Sequence, residues 1–408
     1  MTYEQTLEKM KEIGQEQLLK YYDELSAEQK KTLLQQIENT DFTVLENLRH
    51  PEDLSGTGDI QPIEGLRLSD IEARREEFFQ TGKAAIQRGE VGAVLLAGGQ
   101  GTRLGFDGPK GAYNIGVTKP LYIFEQQVKN LLEVTEACGA YVPLYIMTSE
   151  INNQATVQFW KEHNYFGYPA DYVKFFIQEM APAATKDGKV LLSEKGEIAL
   201  SPNGNGGWFS SMKKSGVLDD VIKRGVKWLN AYAVDNVLQR IADPVFVGAT
   251  IVSGVNCGAK VVCKAEPHEK VGVLCLQDGQ PNIIEYYELT EEMANLRDEK
   301  GDLKYIYGVI LNYLFNVDKA LSILNERIPV HVVEKKVPYI NEAGEKVKPE
   351  APNACKFETL ILDMVRLMGT CLPYEVVREK EFAPVKNPTG VDSVESAREL
   401  LKANGIQL

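Results

Sequence analysis

Three glycines, Gly98, Gly99 and Gly101, follow the apolar run Val91-Gly-Ala-Val-Leu-Leu-Ala97, and two cations, Arg103 and Lys110, come directly after them in Gly-Thr-Arg-Leu-Gly105 and Pro109-Lys-Gly111. Glycines let backbone N–H groups close on a phosphate without Cβ interference, and the cations add charge to the same cradle. The apolar run suits a buried strand of a parallel sheet feeding into the loop. Spacing excludes the rival phosphate motifs. A P-loop requires Gly-Lys-Ser/Thr at a helix start, whereas Gly111 follows Lys110. The dinucleotide fingerprint fails at Leu104, which stands where the third glycine or alanine belongs, and the acid that would hold a ribose, Glu150, comes far too late.

Other residues offer matching chemistry. Asp235 closes the apolar run Tyr232-Ala-Val-Asp, where a carboxylate at a strand end could face a phosphate-bound cation; it could equally cap a helix opening at Asn236. Ser201-Pro-Asn-Gly-Asn-Gly-Gly207, with Gly204 and Asn205 at its centre, has three glycines and two asparagines in seven residues, a loop able to wrap a planar or polyhydroxyl ligand or simply to turn. Gln178 ends Phe175-Phe-Ile-Gln and could read a base edge or face solvent. Glu285 could accept sugar hydroxyls or point outward from its strand. Lys386 lies in Pro384-Val-Lys-Asn387 and reads as a phosphate ligand or an exposed surface lysine.

Positioning these residues requires a layered α/β framework. Residues 1–88 carry apolar positions at helical spacing, such as Leu33, Leu34 and Ile37, without a chemical motif; within them 55–58 and 61–62 read as loop, and Ser69-Asp-Ile-Glu as a helix restart with a capping pattern. From Val91 strand-like runs alternate with amphipathic helices, which predicts a Rossmann-like, mainly parallel mixed sheet flanked by helices over 89–370. Strands are expected at 141–149, 173–178, 228–235, 259–265, 272–277 and 282–289, with helices over 120–133, 151–163 and 392–403. Ligands gather at the carboxyl ends of such strands, where the singled-out residues fall. A short segment, 371–408, completes the chain without a further domain.

Composition narrows the class. At 408 residues the chain can bury a large core, and a net charge of −13 argues against a general nucleic-acid binder. The amino terminus has charges where a signal peptide needs its apolar region, and no apolar run reaches membrane-spanning length. The six cysteines form no Cys-x-x-Cys pair and several sit in strand-like apolar contexts, which reads as buried reduced thiols, and the protein reads as cytoplasmic. The four histidines are scattered, giving no zinc site or hydrolytic triad.

Gly-Gly-x-Gly-Thr-Arg-Leu followed by Pro-Lys resembles the nucleotide-binding signature of sugar-1-phosphate nucleotidyltransferases. Together with Met180-Ala-Pro182, Asn203-Gly-Asn-Gly-Gly207, Val234-Asp-Asn236, Gly258-Ala-Lys-Val-Val262, Glu285-Tyr286 and Phe382-Ala-Pro-Val-Lys-Asn387, it makes the chain similar to eukaryotic-type UDP-sugar pyrophosphorylases, above all those acting on UDP-N-acetylhexosamines. The resemblance implies a nucleotide-diphospho-sugar transferase fold and a reaction of UTP with a sugar 1-phosphate, giving UDP-sugar and pyrophosphate. It implies that Gly98, Gly99, Gln178 and Gly204 hold uracil and that Asn205, Gly272 and Glu285 hold the sugar. Arg103 and Lys110 would clamp the triphosphate, Asp235 would bind Mg2+ and Lys386 would meet the reacting phosphates. Three departures stand out: Val309 in Gly308-Val-Ile310 replaces a sugar-contacting asparagine, Leu360 and Leu362 replace an aromatic pair, and a carboxy-terminal domain is missing. The first two leave open N-acetylglucosamine, N-acetylgalactosamine, glucose and galactose 1-phosphates, or a nucleotide-sugar sensor without turnover. The oligomeric state stays open as well.

Overall fold

The computed structural model describes residues 1–49, 58–324, 326 and 328–408. They fall into two compact units, and neither respects the boundaries expected at 88 and 370. One gathers Met1–Leu54, Glu179–Gly207 and Arg327–Ile361; the other gathers Ser55–Gln178, Trp208–Glu326 and Leu362–Leu408. Of the loop expected at 55–58, residues 55–57 lie outside the described residues.

The first unit shows why the amino-terminal helices do not stand alone. Thr2 and Ser26 cap the helices Tyr3–Glu12 and Ala27–Asn39, each accepting an N–H from the glutamine three residues on, Gln5 or Gln29, whose side chain accepts the cap's own N–H in return. An amphipathic helix must bury its apolar stripe on something. Met10, Leu18, Leu33 and Ile37 do so against Ala181, Val190, Ile198 and Phe357, which come from much later in the chain. The supporting strands are short antiparallel pairs, among them Met180–Pro182 with Leu200–Pro202 and His331–Lys335 with Ala354–Glu358.

The second unit is built on a ten-stranded mixed sheet. Its labelled strands are β1 (Val91–Leu96), β2 (Leu144–Thr148), β3 (Val173–Ile177), β4 (Trp228–Ala233), β5 (Cys257–Cys263), β6 (Val273–Gln277), β7 (Gln280–Ile284), β8 (Tyr307–Asn316) and β9 (Cys371–Glu375); Ile60–Gln61 pairs with the edge of β6. Pairing is parallel through β4, β1, β2 and β3, where helices return the chain, as expected for alternating strands and helices. Beyond β4 it turns antiparallel: β8 pairs with β4, β5 and β6, and β6 with β7, while β9 adds in parallel to β5. The two-residue turn between β6 and β7 permits only antiparallel pairing, and apart from the β5–β9 pair the parallel pairing among the labelled strands lies in the half carrying the glycine loop.

All six residues of β1 and all five of β2 are buried, in keeping with strands covered on both faces. The helix Ile123–Cys138 presents Phe124, Val128 and Leu131 to the same core as Val91, Leu95 and Ile146. Several boundaries shift from expectation; the helix Leu68–Ala73 already contains Ser69, and its start is held by the Asp70 carboxylate, which accepts the Arg67 N–H at 3.0 Å.

Candidate active site

The register aligns the ends of the parallel strands: Leu96 of β1 lies opposite Met147 of β2 and Ala233 of β4. The glycine loop and Asp235 therefore leave the sheet at one edge. Past β1 the loop folds back on itself, with the Gly101 N–H donating to Gly108 O at 2.9 Å and the Lys110 N–H to Gly99 O at 3.1 Å. Lys110 is thereby returned to the glycines that precede it. Arg103 lies on the short turn Thr102–Leu104 and is exposed.

Asp235 follows β4 in a turn, and residues 236–241 are not helical, so its reading as a helix cap is corrected. Asn236 instead bridges to Pro384, and the Val385 N–H donates to Asp235 O at 2.9 Å, which draws the late segment carrying Lys386 alongside. Lys110 Nζ lies 3.9 Å from Asp235 Oδ2. Burial pushes the Lys110 ammonium below the usual lysine range; Asp235 opposes that push, while Lys386 and Arg103 add to it. Three cations and one carboxylate from distant parts of the chain thus share one electrostatic neighbourhood. Lys386 Nζ also contacts Asp392 Oδ2 at 3.0 Å.

Gln178, one residue past β3, is buried rather than solvent-facing, and its backbone N–H donates to Thr148 O at 2.8 Å. A Cβ placed on Gly98 would sit 2.7 Å from the Gln178 side-chain oxygen, so the glycine is what lets loop and glutamine approach. Gly99 has open space around it.

The antiparallel half contributes at the same edge. The Val309 N–H donates to Gly272 O at 2.9 Å, and a Cβ on Gly272 would meet Val309 Cγ2 at 3.3 Å and Glu285 Oε1 at 3.9 Å. Gly272, Val309 and Glu285 are therefore neighbours. The strand ends at Ile284, so half-buried Glu285 stands just beyond it rather than interrupting it. Gly204 and Asn205 belong to the first unit. There Gly204 takes φ +87°, and a Cβ would fall 2.1 Å from Thr359 O; Asn205 Oδ1 accepts the Ile361 N–H at 3.0 Å. Leu360 lies between those two partners, and Leu362 opens a segment of the second unit.

Several residues that support this edge escape a motif reading. Asn152 donates from Nδ2 to Ala97 O at 2.9 Å and Gly99 O at 3.2 Å, while its Oδ1 accepts the Ser149 N–H, tying the glycine loop to the end of β2. Gln127 donates to the carbonyls of Ala233, Val234 and Asn236, pinning the turn that bears Asp235. Lys264 directly follows β5 and is buried, with no hydrogen-bond partner for Nζ; burial lowers its pKa and Glu269 opposes the shift. A lysine closing an apolar strand was the available signal for it. Asn152 and Gln127 leave none, because one stands just before a helix and the other on one, and spacing alone does not say what either amide reaches.

The fold and site define a nucleotidyltransferase of the UTP–glucose-1-phosphate uridylyltransferase family, to which the chain belongs: that family's model matches residues 58–406. The human (Homo sapiens) protein named UDP-N-acetylhexosamine pyrophosphorylase-like protein 1 is 38% identical over 421 residues, covering 96% of this chain and 82% of its own length. The UDP-N-acetylglucosamine pyrophosphorylase of Saccharomyces cerevisiae is 35% identical, covering 95% of this chain and 87% of its own length. Among solved structures, the inhibitor-bound UDP-N-acetylglucosamine pyrophosphorylase of Trypanosoma brucei superposes with a TM-score of 0.83 at 26% identity, covering 97% of this chain and 84% of that one. No helix among the described residues is long and apolar enough to cross a membrane.

Proposed function

We propose that this enzyme transfers the uridylyl group of UTP to N-acetylglucosamine 1-phosphate, giving UDP-N-acetylglucosamine and pyrophosphate. The observation that carries the reading is the Lys110–Asp235 pair at the shared end of β1 and β4, with Arg103 and Lys386 in its field. The names of the similar proteins support the choice of sugar.

In this reaction an oxygen of the sugar phosphate attacks the α-phosphorus of UTP in line, and the bond to the β-phosphate bridging oxygen breaks. Both reactants are anions, so neutralisation and alignment dominate the barrier. Arg103 and Lys110 hold the triphosphate against the glycine loop. Lys386 faces the reacting phosphates, and Lys264 adds a buried cation at the same edge. Gly98, Gly99 and Gln178 receive the uracil, for which a glutamine amide offers both a donor and an acceptor. Gly272 and Glu285 receive the sugar.

Mg2+ fits this donor set. It favours hard oxygen ligands and is usually held by one or two carboxylates together with substrate phosphates and water. Among the described residues no cluster of three or more ligating side chains forms a cage, so Asp235 would hold it jointly with the triphosphate. Bound there, it would withdraw charge from the α-phosphate. The six free cysteines suit a reducing compartment, and we place the enzyme in the cytoplasm.

Val309 beside Gly272 favours a second reading of the sugar. An isopropyl group at this position offers no hydrogen bond to a hydroxyl or amide, so glucose or galactose 1-phosphate would lose less than in a site that reads N-acetyl groups closely. Pyrophosphate release from UTP, compared across the four sugar phosphates, separates the two.

A further inference from the structure

We propose that Asp392 is a positioning residue for Lys386, whose carboxylate competes with pyrophosphate for the lysine ammonium and so speeds product release. The inference rests on the reading of Lys386 as a phosphate ligand.

Two kinds of bond connect these residues, and they do different work. The Asp392 main-chain oxygen accepts the N–H groups of Lys386 at 2.7 Å and Asn387 at 3.1 Å, and the Val394 N–H donates to Asn387 O at 2.9 Å. These bonds, with the Asn387–Ser393 bridge, close residues 386–393 into a fixed loop. One end of the loop is held at Asp235 O through the Val385 N–H, and the other runs into the helix Val394–Ala403, which Ser393 caps. Loop shape is therefore set by the main chain. The side-chain contact is separate: Asp392 Oδ2 meets Lys386 Nζ at 3.0 Å, with the lysine side chain 45% exposed and the aspartate 30% exposed.

An ion pair this exposed is weak and exchanges readily for a more highly charged partner. Pyrophosphate is such a partner, and it must leave after each turnover. With Asp392 beside it, Lys386 has a carboxylate to return to, and the same carboxylate repels the anion. The competing interaction of an exposed pair corresponds to at most about a fivefold change in apparent affinity.

The backbone dictates the clean substitution. Asp392 has φ +53°, a left-handed conformation that aspartate and asparagine tolerate better than other non-glycine residues. Asp392→Asn thus removes the charge while keeping the turn, whereas alanine would strain it. Pyrophosphate inhibition of the forward reaction should be measured in the wild type, Asp392→Asn, Lys386→Met and the double variant, with thermal unfolding to confirm that each is folded. The expected result is an inhibition constant about three- to fivefold lower in Asp392→Asn, with the difference abolished on the Lys386→Met background. A merely structural role would raise the constant, because a loosened loop holds anion less well. An unchanged or higher constant in Asp392→Asn overturns the proposal. If Lys386→Met itself leaves inhibition unchanged, the role of Lys386 falls along with the proposal, while forward synthesis of UDP-sugar still reports on the activity independently.

Discussion

Lys110 and Asp235 meet at 3.9 Å because two strands distant in sequence, Val91–Leu96 and Trp228–Ala233, lie side by side and end together. Neither residue is a strong signal alone. Their meeting sets a cation and a carboxylate oxygen side by side at the glycine loop, where the proposed reaction would use the first for phosphate and the second for a metal.

Lys110→Ala should lower kcat/KM by about 10²- to 10³-fold, the usual cost of losing one preorganised partner for transition-state charge. The fold should survive, since the side chain is bound by no neighbour closer than Asp235. Steady-state kinetics beside a thermal unfolding curve checks both halves.

The same lysine sets a pH dependence. Burial and the nearby Lys386 and Arg103 hold its pKa below the ordinary lysine value of about 10.4, so the charged form is lost earlier on the alkaline side. Because kcat/KM reports the free enzyme, its alkaline limb should fall below that value. Lys110→Arg, which keeps its charge, should remove this limb even where it lowers the plateau. An identical limb in both proteins would assign it elsewhere.

Lys264→Met should leave the unfolding midpoint unchanged or raise it near neutral pH, because it deletes a buried ammonium without a hydrogen-bond partner. The sign follows from linkage. With the folded pKa lowered, the unfolded chain binds the proton more readily, so stability rises with pH from the folded pKa toward the unfolded one and levels off above it. The methionine variant should lack that alkaline gain. If Lys264 serves phosphate, kcat/KM should nevertheless drop by at least about tenfold, roughly the value of one charged hydrogen bond. Unfolding curves across pH, with kinetics on the same samples, test this opposition of stability and activity.

Gly98→Ala should raise the KM for UTP several-fold with little change in stability. The new Cβ would fall 2.7 Å from the Gln178 side-chain oxygen, and the flexible end of that glutamine can swing away at small cost, leaving the base without its partner. Isothermal titration with UTP checks it directly.

Asn152→Ala should cost about 1–3 kcal/mol of stability, because the main-chain oxygens of Ala97 and Gly99 and the Ser149 N–H lose their shared side-chain partner near the core. It should also weaken UTP binding through the loosened glycine loop. Denaturant unfolding and nucleotide titration together measure both.

What was readable beforehand follows from where the physics is local. The strand-to-glycine-loop transition at Val91–Gly101 is fixed by residue type at consecutive positions, and it appears as expected. Helix and strand order survived for the same reason, with ends shifting by a few residues as at Leu144 and Ile123. Asp235 was ambiguous because a carboxylate before Asn-Val-Leu suits a helix cap, and only pairing of Asn236 with Pro384, far along the chain, removes that option. The unit boundaries were not legible, since nothing local to Met10 or Leu33 says that Val190 and Phe357 will cover them. Asn152 and Gln127 act on main-chain groups brought in by tertiary packing, and Asp392 acts through a loop closure six residues long, neither of which composition and spacing encode.

The most direct measurement is pyrophosphate release from UTP with N-acetylglucosamine, N-acetylgalactosamine, glucose and galactose 1-phosphates, each with and without Mg2+. Uridylyl transfer to N-acetylglucosamine predicts metal-dependent release that is fastest with that sugar phosphate, together with formation of the matching UDP-sugar. No release with any of the four, from folded protein that still binds UDP-sugar, would contradict it and leave a nucleotide-sugar sensor in its place.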